Sequence, residues 1–373
     1  MWYTVGMSAV AAALVWIEPE QVEFVRAACE QAGITIVRAG TPAPGKTLDV
    51  ASALGAEPID DLRGALGRTV SELVLLGTSN GIDDGGEGGE CGALLELADR
   101  AVPVGSIEPL PASILDVQHP DLGAGDESMG VALGPEPGEP NTGELGEEWA
   151  MFMPRARLAK SVRDAAEVIA QLGALSMVSV QAFSGPGQGS LGARLYDAME
   201  LVSWLLGQPD RIDAAFVSAQ AARGRAVHAL PGDSLRGLEG DLSANMRFAD
   251  GRAASIVASS RAGRWNRGMM LVGERGRVRI YDDGWEWVGP DGRVNDSSRD
   301  AARVRGSAAA EGPMAPAVRA LADQLVLLAD TDRAPMPPTH VLAALACCGA
   351  ALLSARTGEG ESPDTILRMA RAS

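Results

Sequence analysis

Short apolar runs alternate with helical stretches through the first hundred residues, and this alternation restricts the fold more than any other feature of the chain. Ala12 to Trp16 is an apolar run, Pro19 to Ala32 a helical stretch, and Ile34 to Val37 a β-branched, strand-like run. Helical patterns follow at Leu48 to Leu54 and Asp60 to Leu66, then a buried-strand run at Leu73 to Leu76. Leu94 to Ala101 reads as a helix and Val102 to Ile107 as a strand. Strands that alternate with helices need crossover connections, which build a parallel sheet. Residues 1–118 are therefore expected to form a Rossmann-like, doubly wound domain of the nucleotide-binding type.

The pattern changes after residue 150. Lys160 to Leu172 has helical spacing, and strand-like runs follow at Ser176 to Phe183, Ile212 to Ser218, Leu242 to Phe248, Ala253 to Ser259, Met269 to Val272 and Val278 to Tyr281. The turns ADGR and GERGR are of hairpin length, so these strands are expected to pair antiparallel. Helices return at Ala315 to Leu328 and Val341 to Ala355. The expected architecture is α/β followed by α+β. Residues 151–340 are expected to form an α+β domain on a large, open, mostly antiparallel sheet, and residues 341–373 a C-terminal helix and tail. Residues 119–150 are an acidic, Gly/Pro-rich connection. Like Gly81–Gly92, this stretch lacks the alternating carboxylate spacing of a calcium loop.

Composition narrows the function. A hydrophobic fraction of 46% supports ordinary cores. A net charge of −17 argues against nucleic acid or an anionic membrane as partner. The run Ala9 to Ile17 is too short to cross a bilayer and lacks a signal peptide's flanks, so a cytoplasmic protein is expected. The four cysteines form no CxxC pair, which disfavours zinc, and Cys347 and Cys348 read as buried thiols. Only Lys46 and Lys160 are lysines, and only His119, His228 and His340 are histidines. His119 reads as a turn residue and His340 as a residue near a helix N-cap, while His228 lies in a loop that either is structural or lines the mouth of a cleft. Trp265, between Arg264 and Arg267, suits either stacking on a sugar or partner, or packing in the sheet.

Four strings in order carry a resemblance: IEPLP at Ile107–Pro111, LYDAMELVSWLLGQP at Leu195–Pro209, the hairpin segment Asp250–Gly284, and SARTGE at Ser354–Glu359. Together they resemble the glucose–fructose oxidoreductase / inositol dehydrogenase (Gfo/Idh/MocA) family over nearly the whole chain. The resemblance implies a first domain that binds NAD or NADP, a second that shapes a sugar or cyclitol pocket, and oligomers through the sheet. It puts Trp16, Ile17, Gly40, Thr78, Ser79 and Pro109 around a dinucleotide. It puts Glu108 at the family's lysine, Asp197 at its histidine, Glu200 at its second aspartate and Ala193 at the earlier one.

The departures point away from hydride transfer. Where G-x-G-x-x-G would let a helix N-terminus receive the pyrophosphate, the chain has Trp16-Ile17-Glu18-Pro19-Glu20. The second strand ends Arg38-Ala39-Gly40, without an acid for the ribose hydroxyls. Asp197, Glu200 and Trp204 lie opposite the apolar face made by Leu195, Met199, Val202 and Leu206, which leaves them in a cleft or in solvent. The leading expectation is a pseudoenzyme-like protein with weak or no dehydrogenase activity. It binds a small polyol or sugar, or associates with itself or an active homologue. The alternative is a working NAD(P)-dependent dehydrogenase acting on the CH–OH of a sugar or cyclitol. A third reading takes Gly40–Thr47 as a P-loop with Lys46 on phosphate, although Pro42 and Pro44 offer no N–H donors.

Overall fold

The computed structural model describes residues 11–67, 73–78, 94, 97, 102–116, 150–218, 230–299, 312, 314–330 and 341–372. Its first layer is a parallel sheet of β1 (Ala12–Trp16), β2 (Thr35–Gly40), β3 (Glu57–Pro58), β4 (Leu73–Leu76), β5 (Val104–Ser106) and β6 (Met151–Phe152). The spatial order is β3-β2-β1-β4-β5-β6. Helices α1 (Val22–Ala32), α2 (Thr47–Leu54) and α3 (Leu62–Gly67) follow the first three strands. β1 carries no polar side chain because both of its faces are covered. Ala13 and Val15 pack with α1 on one side, and Leu14 and Trp16 with α3 on the other. The chain leaves β1 outward to β2 and β3, then returns to β4. That reversal opens a crevice at the carboxyl ends of β1 and β4, where folds of this kind hold ligands.

The second sheet has the order β14-β13-β12-β11-β7-β10-β9-β8. Its strands are β7 (Leu175–Phe183), β8 (Arg211–Ser218), β9 (Gly240–Arg247), β10 (Ala253–Ser259), β11 (Asn266–Gly273), β12 (Gly276–Tyr281), β13 (Gly284–Val288) and β14 (Val294–Arg299). The stretch expected as one helix before β7 is two, α4 (Lys160–Asp164) and α5 (Ala166–Gln171). Later helices are α6 (Leu191–Leu206), α7 (Ala315–Ala329), α8 (Val341–Thr357) and α9 (Pro363–Ala372). Every strand pair is antiparallel except β7 with β10. The exception follows from α6, which carries the chain back across the sheet so that β8 runs in the same direction as β7. α6 fills the inner face under α8, with Leu195, Met199 and Val202 against Val178, Val180 and Ile256 in one core. Among the described residues nothing covers the outer face, which exposes Met177, Val257 and Tyr281.

Two elements depart from the expected division at residue 150. β6 is the sixth strand of the first sheet, and α7 buries Ala317, Val318, Leu321 and Leu325 against the α1 side of that sheet. An apolar stripe specifies that a helix will be buried, but not which layer receives it.

α7 also clamps the passage between the layers. Gln324, buried, accepts from the Arg155 N–H at 2.8 Å and donates to the Arg155 carbonyl at 2.7 Å. Gln324→Ala leaves both backbone groups without those partners and removes side-chain packing. The expected loss is about 2–4 kcal/mol of unfolding free energy, read as a lower urea midpoint. An unchanged midpoint would refute the clamp.

Candidate functional site

β1 ends in a corner built from side chains rather than bare backbone. Ile17 extends the strand with N–H to Gly40 carbonyl at 3.1 Å, Glu18 is extended at φ −73°, and a short 3-10 turn over Pro19–Gln21 leads into α1. Gln21 folds back and is only 5% exposed. Its Oε1 accepts from the Glu18 N–H at 2.9 Å, and its Nε2 donates to the Gly77 carbonyl at 2.6 Å. Thr78 Oγ1 donates to Glu18 Oε1 at 3.2 Å. The end of β1 is thus laced to the end of β4 across the crevice. A Cβ at Gly77 would fall 2.4 Å from Gln21 Oε1 and 2.5 Å from Ile17 Cγ2, so a side chain there would have to displace the amide from this position.

The second layer closes on the same corner. Gly187 has φ +75°, and a Cβ there would lie 2.4 Å from the Glu20 carbonyl oxygen. The loop before α6 therefore rests on the turn backbone with no side chain between. These features do not fit a dinucleotide in the ordinary mode. Its pyrophosphate needs open N–H donors at the helix start, and here it would meet the Gln21 amide and the carboxylates of Glu18 and Glu20.

Glu108 lies just past β5 and is 8% exposed. Ser190, the N-cap of α6, donates its N–H to Glu108 Oε1 at 2.8 Å and its hydroxyl to Oε2. Ser190 Oγ in turn accepts from the Ala193 N–H at 3.1 Å. The helix start thus faces a carboxylate, a favourable pairing with the helix dipole. Burial nevertheless raises the Glu108 pKa to about 7, against the lowering effect of the Ser190 hydrogen bonds and Arg194; Glu239 raises it further.

Asp197 and Glu200 are elsewhere, neither in the cleft nor in solvent. Asp197 Oδ1 accepts from the Ala156 N–H at 2.5 Å, and its Oδ2 lies 3.4 Å from Arg267 Nη1 and 3.9 Å from Arg194 Nη1. Glu200 Oε1 pairs with Arg157 Nε at 3.1 Å, both side chains buried. Trp265 belongs to the core: Arg194 stacks on it at 4.3 Å and Arg267 at 5.5 Å, and its indole N–H donates to Asp282 at 2.7 Å. Burial brings the Arg194 pKa down to about 10. The polar face of α6 is an internal charge network, and the sequence pattern does not distinguish that from a wet face.

Of the residues expected around a dinucleotide, Thr78 lines the cleft. Trp16 and Ile17 are buried in opposite cores, and a Cβ at Gly40 would strike the Trp16 ring at 2.4 Å. Pro109 is buried, and Ser79 lies outside the described residues, as do the three histidines, Cys91 and the two acidic loops. Lys46 is exposed on the β2–α2 connection and pairs with Asp49 at 3.3 Å, one strand away from the crevice. Cys29 and Cys347 are buried thiols pushed up to about 12 by that burial, and Cys348 is shifted the same way. Among the described residues no group of three His, Cys, Asp or Glu side chains is placed to hold a metal ion. Nor is any helix long and apolar enough to cross a membrane.

The cleft between the layers has a volume of about 470 Å³. One wall is Glu18, Glu20, Gln21, Gly77, Thr78 and Glu108, and the other is the Gly185–Ser190 loop with Glu239, Ser260 and Arg261. Sequence reasoning missed Gln21, Ser190 and Glu239. Only Ser190 had a readable signal, as a serine directly before a helical run.

No protein-family model and no curated protein matches the chain. Solved structures do. An oxidoreductase from Agrobacterium radiobacter, in complex with NAD+, L-tartaric acid and magnesium, superposes with a TM-score of 0.61 at 12% identity, over 96% of this chain and 100% of that one. A myo-inositol dehydrogenase from Corynebacterium glutamicum gives 0.60 at 16% identity, over 95% and 99%. The WlbA dehydrogenase from Bordetella pertussis, in complex with NADH and UDP-GlcNAcA, gives 0.54 at 17%, over 95% and 99%. The chain has the two-domain fold of Gfo/Idh/MocA-type oxidoreductases.

Glu108 makes stability depend on pH. An unfolded glutamate releases its proton near pH 4.5, whereas the folded one holds it to about 7. The folded state binds more protons between these values, so stability falls as pH rises through that window and levels off above it. Glu108→Gln lacks the step. Relative to wild type, the variant gains on the order of 2–3 kcal/mol between pH 4.5 and pH 8. Urea unfolding at pH 5, 6.5 and 8 measures the gap, and a gap independent of pH would contradict the assignment.

Proposed function

We propose that this chain is a divergent relative of the glucose–fructose oxidoreductase / inositol dehydrogenase family that binds a small polyhydroxylated molecule in its interdomain cleft and does not use a nicotinamide dinucleotide. The observation that carries this reading is the Gln21 amide, bonded to Glu18 and Gly77 across the ends of β1 and β4, in the space a pyrophosphate would need. The residues lining the cleft support it. Among the described residues they include no histidine, lysine or tyrosine to exchange a carbinol proton, and the one buried acid, Glu108, is engaged with Ser190. The glycines at 185, 187, 189, 237 and 263 leave backbone groups facing the cleft beside the hydroxyls of Thr78 and Ser260, a surface suited to a hydroxylated ligand.

Self-association through the uncovered face of the second sheet is part of the same proposal, supported by the exposed Met177, Val257 and Tyr281. In calorimetric titrations, NAD and NADP are expected to give no saturable binding below about millimolar concentration. That corresponds to less than about 4 kcal/mol of binding free energy. A micromolar dissociation constant for either dinucleotide would end the reading in favour of a working dehydrogenase.

A further inference from the structure

We infer that a second pocket, separate from the cleft, binds a free amino acid with an aliphatic side chain of the size of leucine or methionine. Asp233 takes its ammonium group and Arg356 its carboxylate. The site goes beyond the reading of the cleft and does not depend on it.

The pocket lies between α8, α9 and the turn Ile114–Asp116 that follows β5, and it shares no lining residue with the cleft. Leu235, Leu345, Leu352 and Ile366 are its apolar walls. Gly349 lets α9 approach α8 there, since a Cβ would fall 2.9 Å from Ile366 Cγ2. The apolar lining continues outward at Leu115 and Met369, which are 58% and 56% exposed. The volume is about 100 Å³. An apolar cavity of roughly 150 Å³ admits benzene, so this one has room for a chain of about four heavy atoms. Left unfilled, its walls forgo the contacts that such a chain would supply.

The rim carries both signs of charge. Arg356 Nη1 donates to Asp233 Oδ1. Among the described residues neither side chain has another polar partner, which leaves Asp233 Oδ2 and Arg356 Nε and Nη2 open. Ser113, in the same lining, accepts from the Leu115 N–H at 3.2 Å and keeps its own hydroxyl hydrogen to donate. A carboxylate, a guanidinium and a hydroxyl thus stand beside an apolar hollow. A zwitterion with an apolar tail is the complement of that arrangement. An aliphatic acid would bring its carboxylate against Asp233, and an aliphatic amine its ammonium against Arg356. A plain hydrocarbon would use neither charge.

The test is calorimetric titration of the full chain at pH 7.5 with L-leucine, L-methionine, L-alanine, 4-methylpentanoate and 3-methylbutylamine. L-Leucine or L-methionine is expected to saturate below about millimolar concentration. It is expected to bind about tenfold or more tightly than the other three probes, because alanine lacks the buried carbons and the last two lack half of the head group. Asp233→Asn and Arg356→Gln, at a rim whose side chains are 66% and 31% exposed, are each expected to weaken binding several-fold. Ala370→Phe, which fills the pocket, is expected to abolish it, with thermal melting to show that each variant is folded. If Ala370→Phe does not fold, the two rim variants decide. Full binding in the filled variant or in both rim variants would overturn the inference. So would alanine or a singly charged probe binding as tightly as leucine and methionine, or no saturable binding of either. The cleft reading stands in every case, because none of the substituted residues lines the cleft.

Discussion

A single primary amide ties together the ends of the two central strands of the first layer. Gln21 reaches from the start of α1 to the end of β4, accepting from Glu18 and donating to the Gly77 carbonyl. The groups it satisfies are the backbone polar atoms that a parallel sheet leaves unpaired at its switch point, where a bound ligand would otherwise meet them. These bonds join the ends of β1 and β4, with Gly77 directly under Oε1. The loop carrying Gly187 can then rest on the turn. The space that remains lies outward, between the lobes, and its chemistry is set by carboxylates and hydroxyls.

The second organising feature is the start of α6. Ser190 caps the helix and is gripped by Glu108 from the other layer, so the two lobes meet at a helix terminus. Further along the same helix, Arg194 and Asp197 are sunk into a network with Arg267, Asp282 and Trp265, and Glu200 meets Arg157. Buried charges of this kind are satisfied by one another, and removing one partner leaves the other exposed to a low-dielectric interior. They hold the helix in its seat, and they face the core rather than the cleft.

The layers were legible in the sequence because hydrophobic periodicity is local. The apolar runs at 12–16 and 73–76 and the alternation at 253–259 fall where strands form. β14, with the sequence Val-Asn-Asp-Ser-Ser-Arg, was not legible: an edge strand has one free side and needs no apolar pattern. Glu108 stood out by its position after a strand and before Pro109. Gln21 did not, since a glutamine at a helix start reads as surface and its role depends on a residue 56 positions away. Asp197 and Glu200 looked like a polar face for the same reason. Their arginine partners at 157 and 267 come from separate parts of the chain, and nothing local announces them.

The placement of α7 means that the N-terminal lobe is not a contiguous stretch of chain. After β6 the chain leaves it and builds the whole eight-stranded sheet from β7 to β14, and only afterwards does it come back to lay Ala317, Val318, Leu321 and Leu325 over Val22 and Val25. A fragment cut at the end of the first alternating pattern would lack its closing helix and present that apolar surface to water. After α7 the chain crosses back once more, so that α8 and α9 complete the larger lobe and each lobe is built from separate stretches of sequence.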